Sequence, residues 1–153
     1  MDIVIKKAVL DNLTEIQDLF KQTIMATCQK EYTLKERTVW SNAVQKTEKW
    51  TNSIQNEYFI IAIIDKKIVG FSSLKSNDYL NLMYVHKDYT RKGIANKMFK
   101  NIKAKSDELG GGKLSADVSK TARPFFEKKG FRVIKENKNL IENQIVINYR
   151  MSQ

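Results

Sequence analysis

The chain has 153 residues, 42% of them hydrophobic and 29% charged, with a formal net charge of +10. That length suits one domain with a single core, and the apolar content excludes a disordered chain. The lone Cys28 excludes an internal disulfide, while the lack of a bilayer-length apolar run and the early charges of MDIVIKK argue against membrane insertion or export, so a cytoplasmic protein is expected.

Val4, Ile5, Ala8 and Val9 with their neighbours predict a first strand at about Ile3–Ala8. Asn12 or Thr14 then caps a helix whose apolar positions Leu13, Ile16, Leu19, Phe20 and Ile24 keep a helical period. Thr33–Ile54 predicts a weaker, broken helical stretch carrying Trp40 and Trp50. YFIIAIIDKKIVGFSSLK reads as adjacent strands joined by a tight turn at Asp65–Lys67, and a turn at Ser76–Asp78 leads into a third strand, YLNLMYV. From Arg91 to Leu109 the period lengthens: Ile94, Met98, Ile102 and Leu109 fall at helical spacing, widened by Ala95, Phe99 and Lys103, and Gly110–Gly112 closes the helix. KLSADVS predicts a short strand and Lys120–Lys129 a short helix stopped by Gly130. Phe131–Ile134 and Gln144–Tyr149 predict a last strand pair across a polar, Asn-rich loop. No repeat or linker interrupts the chain, so residues 1–153 are expected to form one α/β domain with a largely antiparallel sheet.

The segment Tyr79–Phe131 carries the chemistry. A strand meets a short polar connection, His86–Thr90, and RKGIAN then opens the long helix. The first turn of a helix offers unpaired N–H groups and the positive end of the helix dipole, which together favour an anion. Gly93 lets a phosphate approach the backbone, Ala95 is nearly as small, and Arg91 and Lys92 add charge at the rim. Neither the P-loop pattern nor the dinucleotide Gly-x-Gly-x-x-Gly pattern is present. The remaining basic residues, densest at Lys97–Lys105 and Lys120–Lys129, are spread along the chain and read as solvated surface rather than a nucleic-acid arm.

LNLMYVHKDYTRKGIANKMFKNIKAKSDELG followed by KLSADVSKTARPFFEKKGFRVI resembles motifs A and B of the GNAT N-acetyltransferase superfamily. The wording YVHKDY…RKGIA and ARPFFEKKGF most resembles the bacterial acetyltransferases named after YafP, and a bacterial source also suits the abundance of Lys, Ile and Asn. The resemblance implies a GNAT fold: a mixed, mostly antiparallel sheet of about seven strands with a splayed middle pair, flanked by about four helices. It implies acetyl-CoA as cosubstrate, no metal, and direct attack of a primary amine on the thioester in a ternary complex.

Residue by residue, the resemblance assigns the splayed strand's Met83, Tyr84 and Val85 to the pantetheine arm, and Arg91, Lys92, Gly93, Ile94, Ala95 and Asn96 to the diphosphate. A backbone N–H, that of Val85, would polarise the thioester carbonyl. Thr90 stands where Gln or Arg is usual, Ser119 where Asn is common, and Phe126 where many members carry a proton-donating Tyr near the sulfur; Ser119 and Phe126 are still expected beside the cosubstrate. Tyr84 is then a candidate donor to the leaving thiolate. A Lys-like amine must lose a proton before attack, at a cost of roughly 4–5 kcal/mol at neutral pH, so a base or water relay is expected. Tyr79 stands where some members have a Glu base, and is either a relay or a packing residue. The early helices and last hairpin would enclose the acceptor, making Tyr32, Trp40 and Asn81 candidate substrate contacts, whereas Trp50 and Cys28 read as core. His86, the sole histidine, falls in a loop expected to be solvated.

The acceptor is expected to be a small-molecule or peptide amine, and the chain a monomer or homodimer. Two other readings stay open: an acetyltransferase of aminoacyl-tRNA, which the interleaved Glu31, Glu36, Glu48 and Glu57 disfavour, and a non-catalytic acyl-CoA sensor, which Phe126 and the missing carboxylate base keep alive.

Overall fold

The computed structural model describes residues 2–153. Strand β1 (Val4–Lys7) leads through a 3-10 turn into helix α1 (Leu13–Thr27). Asn12 occupies the N-cap position of α1, but its side chain turns back to accept from the Val9 N–H at 2.9 Å, so it caps the preceding turn instead. Ile16, Leu19, Phe20, Thr23 and Ile24 form the buried stripe of α1. The expected broken helical stretch is α2 (Leu34–Ser41), a 3-10 turn, and α3 (Thr47–Asn56). Helix α2 starts on a capping box that satisfies two otherwise unpaired donors: Thr33 Oγ1 accepts from Glu36 N–H at 3.1 Å, and Thr33 N–H donates to Glu36 Oε1 at 2.8 Å.

Strands β2 (Tyr58–Ile64), β3 (Lys67–Lys75) and β4 (Tyr79–Val85) form the expected meander. Asp65 and Lys66 both take positive φ, as a two-residue hairpin turn requires. Helix α4 (Ile94–Glu108), strand β5 (Ser115–Ser119) and short helix α5 (Arg123–Lys128) follow. Strands β6 (Arg132–Ile141) and β7 (Gln144–Ser152) close the chain. Here the Asn-rich loop expected after Ile134 is in fact strand. Asn137 and Asn139 belong to β6 and donate to Asn148 Oδ1 of β7 at 2.9 and 3.0 Å, and the chain reverses only at Glu142–Asn143, both at positive φ. A polar run is compatible with a strand when its amides bond across the ladder.

The seven strands lie in the order β1-β2-β3-β4-β5-β7-β6, antiparallel except for β4 beside β5. That parallel pair is registered at a single position, Tyr79 opposite Ser115, after which the strands part. The splayed middle pair is therefore present. Helices α1 to α4 account for the expected flanking helices, with the short α5 added. One face of the sheet packs with α1 and α3 around Ile16, Phe20, Trp50, Phe59 and Phe71; the other packs with α4 and α5 around Met98, Ile102, Phe126 and Phe131. Close docking of α4 depends on Gly70 of β3, where a Cβ would meet Ile94 Cγ2 and Met98 Cε at 3.0 Å. A third cluster, Cys28, Tyr32 and Val146 with Trp40 and Ile141, joins the early helices to the last hairpin. Among the described residues no helix is long and apolar enough to cross a membrane, and no group of three or more potential metal ligands is found.

Candidate active site

The parting of β4 from β5 leaves peptide groups of β4 unpaired. His86 N–H reaches back to Val69 O at 2.8 Å, so by strand alternation the peptide groups of Met83 and Val85 face the gap. Thr23 Oγ1 of α1 donates to Val85 O at 2.9 Å, which leaves the Val85 N–H. Two cavities meet at this gap. One, of about 210 Å³, runs between α1, β4 and α5; the other, of about 620 Å³, lies among β4, β5 and the β6–β7 hairpin. Trp40, Met83, Tyr84, Ser119, Ala122 and Phe126 line both, so the two form one passage.

At the narrow end lies the mouth of α4. Gly93 is its N-cap at φ 80°, and the first helical hydrogen bond runs from Lys97 N–H to Gly93 O at 3.0 Å. The amides of Ile94, Ala95 and Asn96 thus precede the first bond of the ladder. No acidic residue occupies the first turn, and nothing lies within 4 Å of where a Gly93 Cβ would stand, so the mouth is open. Arg91 and Lys92 are exposed at its rim, Ala95 lines the channel, and the Ile94 side chain is buried in the core. Asn96 accepts from Lys129 Nζ, and that ammonium sits over the Phe99 and Phe125 rings at 5.5 and 5.4 Å. Lys129 therefore adds charge to the mouth. It is 33 residues from Asn96, and no local pattern in the chain announces it.

At the junction, Tyr84 stacks on Phe71 with centroids 5.3 Å apart and tilts against Phe20 at 4.9 Å. Burial pushes its phenol above the ordinary value near 10, so it holds its proton at neutral pH. Phe126 packs edge-on to Phe131 at 5.0 Å and offers only an apolar wall. Ser119 Oγ accepts from Ala122 N–H at 3.0 Å, which ties it to the start of α5.

The wide end holds the expected acceptor contacts and several more. Tyr32 lines it with its ring, but its hydroxyl is committed: it donates to Ile147 O at 2.5 Å and accepts from Lys120 N–H at 2.9 Å. Burial raises that phenol to about 12. Trp40 meets the Tyr32 ring edge-on at 5.2 Å, while Trp50 is core and donates to Ala43 O at 3.0 Å. Asn81 lines the cavity and donates to Glu57 Oε1 at 3.0 Å. The floor adds Asp117, Asn139 and Asn148, which sequence reasoning did not single out because each is positioned only by strand pairing.

Two expectations about proton-bearing groups are revised. Tyr79 lies outside the passage lining, its hydroxyl donating to Asp117 Oδ2 at 2.5 Å; burial and Asp117 raise the phenol to about 12. It acts as a tether across the base of the splayed strands. His86 is not solvated: it is 9% exposed, and its Nδ1 accepts from Asp88 N–H at 3.1 Å, capping the turn that leads to the α4 mouth. Burial, aided by Lys67, lowers its pKa from the ordinary 6.5. Cys28 is buried, as expected, although it also lines the narrow channel.

Residues 28–152 match the family model described as the acetyltransferase (GNAT) domain. The chain is 29% identical over 120 residues to the uncharacterized N-acetyltransferase YafP of Escherichia coli K12, covering 78% of this chain and 75% of that one. Among solved structures, a GCN5-related N-acetyltransferase from Rhodopseudomonas palustris superposes with a TM-score of 0.95 at 22% identity, covering 100% of this chain and 96% of the other. The PaiA N-acetyltransferase of Thermoplasma acidophilum, solved with coenzyme A, superposes with a TM-score of 0.80 at 19% identity, covering 100% and 99%.

Proposed function

The chain belongs to the GNAT acetyltransferase family, and from that premise we propose that it moves an acetyl group from acetyl-CoA to the primary amine of a small molecule or peptide, both substrates being bound together. Residues 1–153 would act as one such domain. The observation that carries this reading is the single-residue pairing of β4 with β5, which opens a passage lined by unpaired peptide groups.

Acetyl-CoA supplies an acyl group already activated as a thioester. The amides of Ile94, Ala95 and Asn96 hold the diphosphate, with Gly93 leaving room and Arg91, Lys92 and Lys129 neutralising charge. The peptide group of Met83 pairs with the pantetheine arm, and the free Val85 N–H faces the carbonyl oxygen, where negative charge grows during attack. Ser119, Phe126 and Ala122 wall the thioester from water. The amine nitrogen forms the new C–N bond as the C–S bond breaks. Tyr84, which keeps its proton, donates a hydrogen bond to the departing sulfur. Asp117 is tied to Arg150 and His86 is spent on a cap, so the proton that the acceptor ammonium loses before its neutral amine attacks leaves through water.

Calorimetry with acetyl-CoA, followed by free-thiol release with a panel of amines, tests this. Binding with turnover is expected; a protein that binds no acetyl-CoA would overturn the reading.

A further inference from the structure

Strand β6 is 10 residues long and ends the seven-stranded order, so one side of it pairs with β7 and, among the described residues, no strand pairs with the other. The unpaired N–H and C=O groups of such an edge are a template for another strand. Their places follow from the hairpin. Its turn is Glu142–Asn143, both at positive φ, and a two-residue turn of that kind is closed by a hydrogen-bonded pair, here Ile141 and Gln144. Counting back by twos, Asn139, Asn137 and Lys135 bond to β7, while the peptide groups of Leu140, Lys138 and Glu136 point outward from the edge.

The same alternation divides the side chains. Asn137, Asn139 and Ile141 share the face of Val146 and Asn148, towards the wide cavity, and Glu136, Lys138 and Leu140 stand on the opposite face, exposed. Leu140 is 74% exposed and sits across the hairpin from Ile145, 52% exposed; Ile134, at the bulge near the start of β6, is 64% exposed. Among the described residues neither Glu136 nor Lys138 enters an ion pair.

We propose that the chain forms a two-fold dimer in solution, β6 pairing antiparallel with β6 of a second copy about Asn137. A two-fold axis through such a pair sets residues equally far before and after its centre opposite each other. Centred on Asn137, Glu136 of each copy faces the partner's Lys138, and both positions have outward peptide groups, so hydrogen bonds and opposite charges coincide in two equivalent pairs. By the same count Ile134 meets the partner's Leu140, which takes apolar surface out of water. A centre one residue earlier sets Glu136 against Glu136, and one residue later sets Lys138 against Lys138; like charges directly opposite are destabilising. An edge lysine ordinarily wards off pairing. Here Lys138 opposes the neighbouring register and supports this one. The dimer is independent of the acetyl-transfer reading, which needs only one copy.

Sedimentation velocity of the full chain, from low micromolar to submillimolar concentration, tests the proposal. A concentration-dependent dimer is expected. Glu136→Lys and Lys138→Glu each set like charges opposite in both pairs and should each raise the dimer Kd on the order of tenfold. Combined in one chain, the two reversals restore opposite charges and should bring Kd back to within about threefold of wild type. Hydrogen exchange on the wild type needs no variant: the Glu136, Lys138 and Leu140 amides should slow as the dimer fills. A chain that stays monomeric throughout, single reversals that leave Kd unchanged, a combined variant no tighter than the single ones, or a dimer in which those three amides exchange as fast as in the dilute monomer would each overturn the proposal.

Discussion

The hydroxyl of Tyr79 on β4 donates to Asp117 Oδ2 on β5 at 2.5 Å, bridging the two strands just where their backbones stop pairing. The bond is one of four donations that converge on Asp117, and Arg150 also lies over the Tyr79 ring at 5.5 Å. Side chains thus hold together, at the base of the cleft, strands whose backbones have separated to make it.

Tyr79→Phe should therefore destabilise the fold by about 1.5–3 kcal/mol, the usual worth of a hydrogen bond to a charged group, as read by denaturant unfolding. The same variant should retain kcat within about threefold, since the loss of a true proton-transfer group costs about 10²–10⁴. A hundredfold fall in kcat with unchanged stability would return Tyr79 to a catalytic role.

Asp117 sets an acid limit on stability. Burial alone would raise its pKa, but Arg150, Tyr79 and Asn137 outweigh burial and hold it below the ordinary 3.8. A carboxyl with a depressed folded pKa contributes stability above its unfolded value and loses it as pH falls through the folded one. Asp117→Asn should be less stable at neutral pH and should lose less further stability below about pH 4.

His86 gives the opposite group with the same slope. Its folded pKa lies below the ordinary 6.5, so the folded chain binds fewer protons than the unfolded one. Its neutral form accepts the Asp88 N–H, and protonation removes that acceptor. Stability should accordingly fall as pH drops through about 6.5. His86→Asn, which keeps an acceptor for the cap without the titration, should flatten the thermal-melting profile between about pH 7 and 5.

Gly93→Asp should abolish acetyl-CoA binding while leaving a folded protein. At φ 80° the new side chain meets nothing, so its cost is the left-handed backbone alone, about 1 kcal/mol for a residue that tolerates that region. Its carboxylate, however, would stand at the mouth where the diphosphate is held. Circular dichroism and calorimetry separate the two effects, and wild-type affinity in the variant would remove the mouth from the binding site.

Tyr84→Phe should lower kcat by about ten- to a hundredfold with little change in acceptor KM, because the ring stacking on Phe71 and Phe20 survives and only the donor to sulfur is lost. Phe126→Tyr in that background places a hydroxyl on the facing wall of the same junction and should recover part of the loss.

What the chain's order of residues determined is whatever depends on neighbours in sequence. The repeat of Ile94, Met98 and Ile102 predicted α4, Gly93 its open mouth, and the meander followed from apolar runs broken at Asp65–Lys66 and Ser76. The family resemblance extended this to the splayed strands and the cosubstrate. The tertiary structure alone decided which groups are free. Tyr79 and Asp117 lie 38 residues apart, Asn96 and Lys129 33, and Asp117 and Arg150 33. Their pairing follows from strand order and register, to which local spacing is blind. Asn137 and Asn139 read as loop because polar residues rarely suggest a strand, and only the partner Asn148 on β7 makes one of them. His86 read as solvated for the same reason: burial is a property of what packs over a residue from elsewhere in the chain.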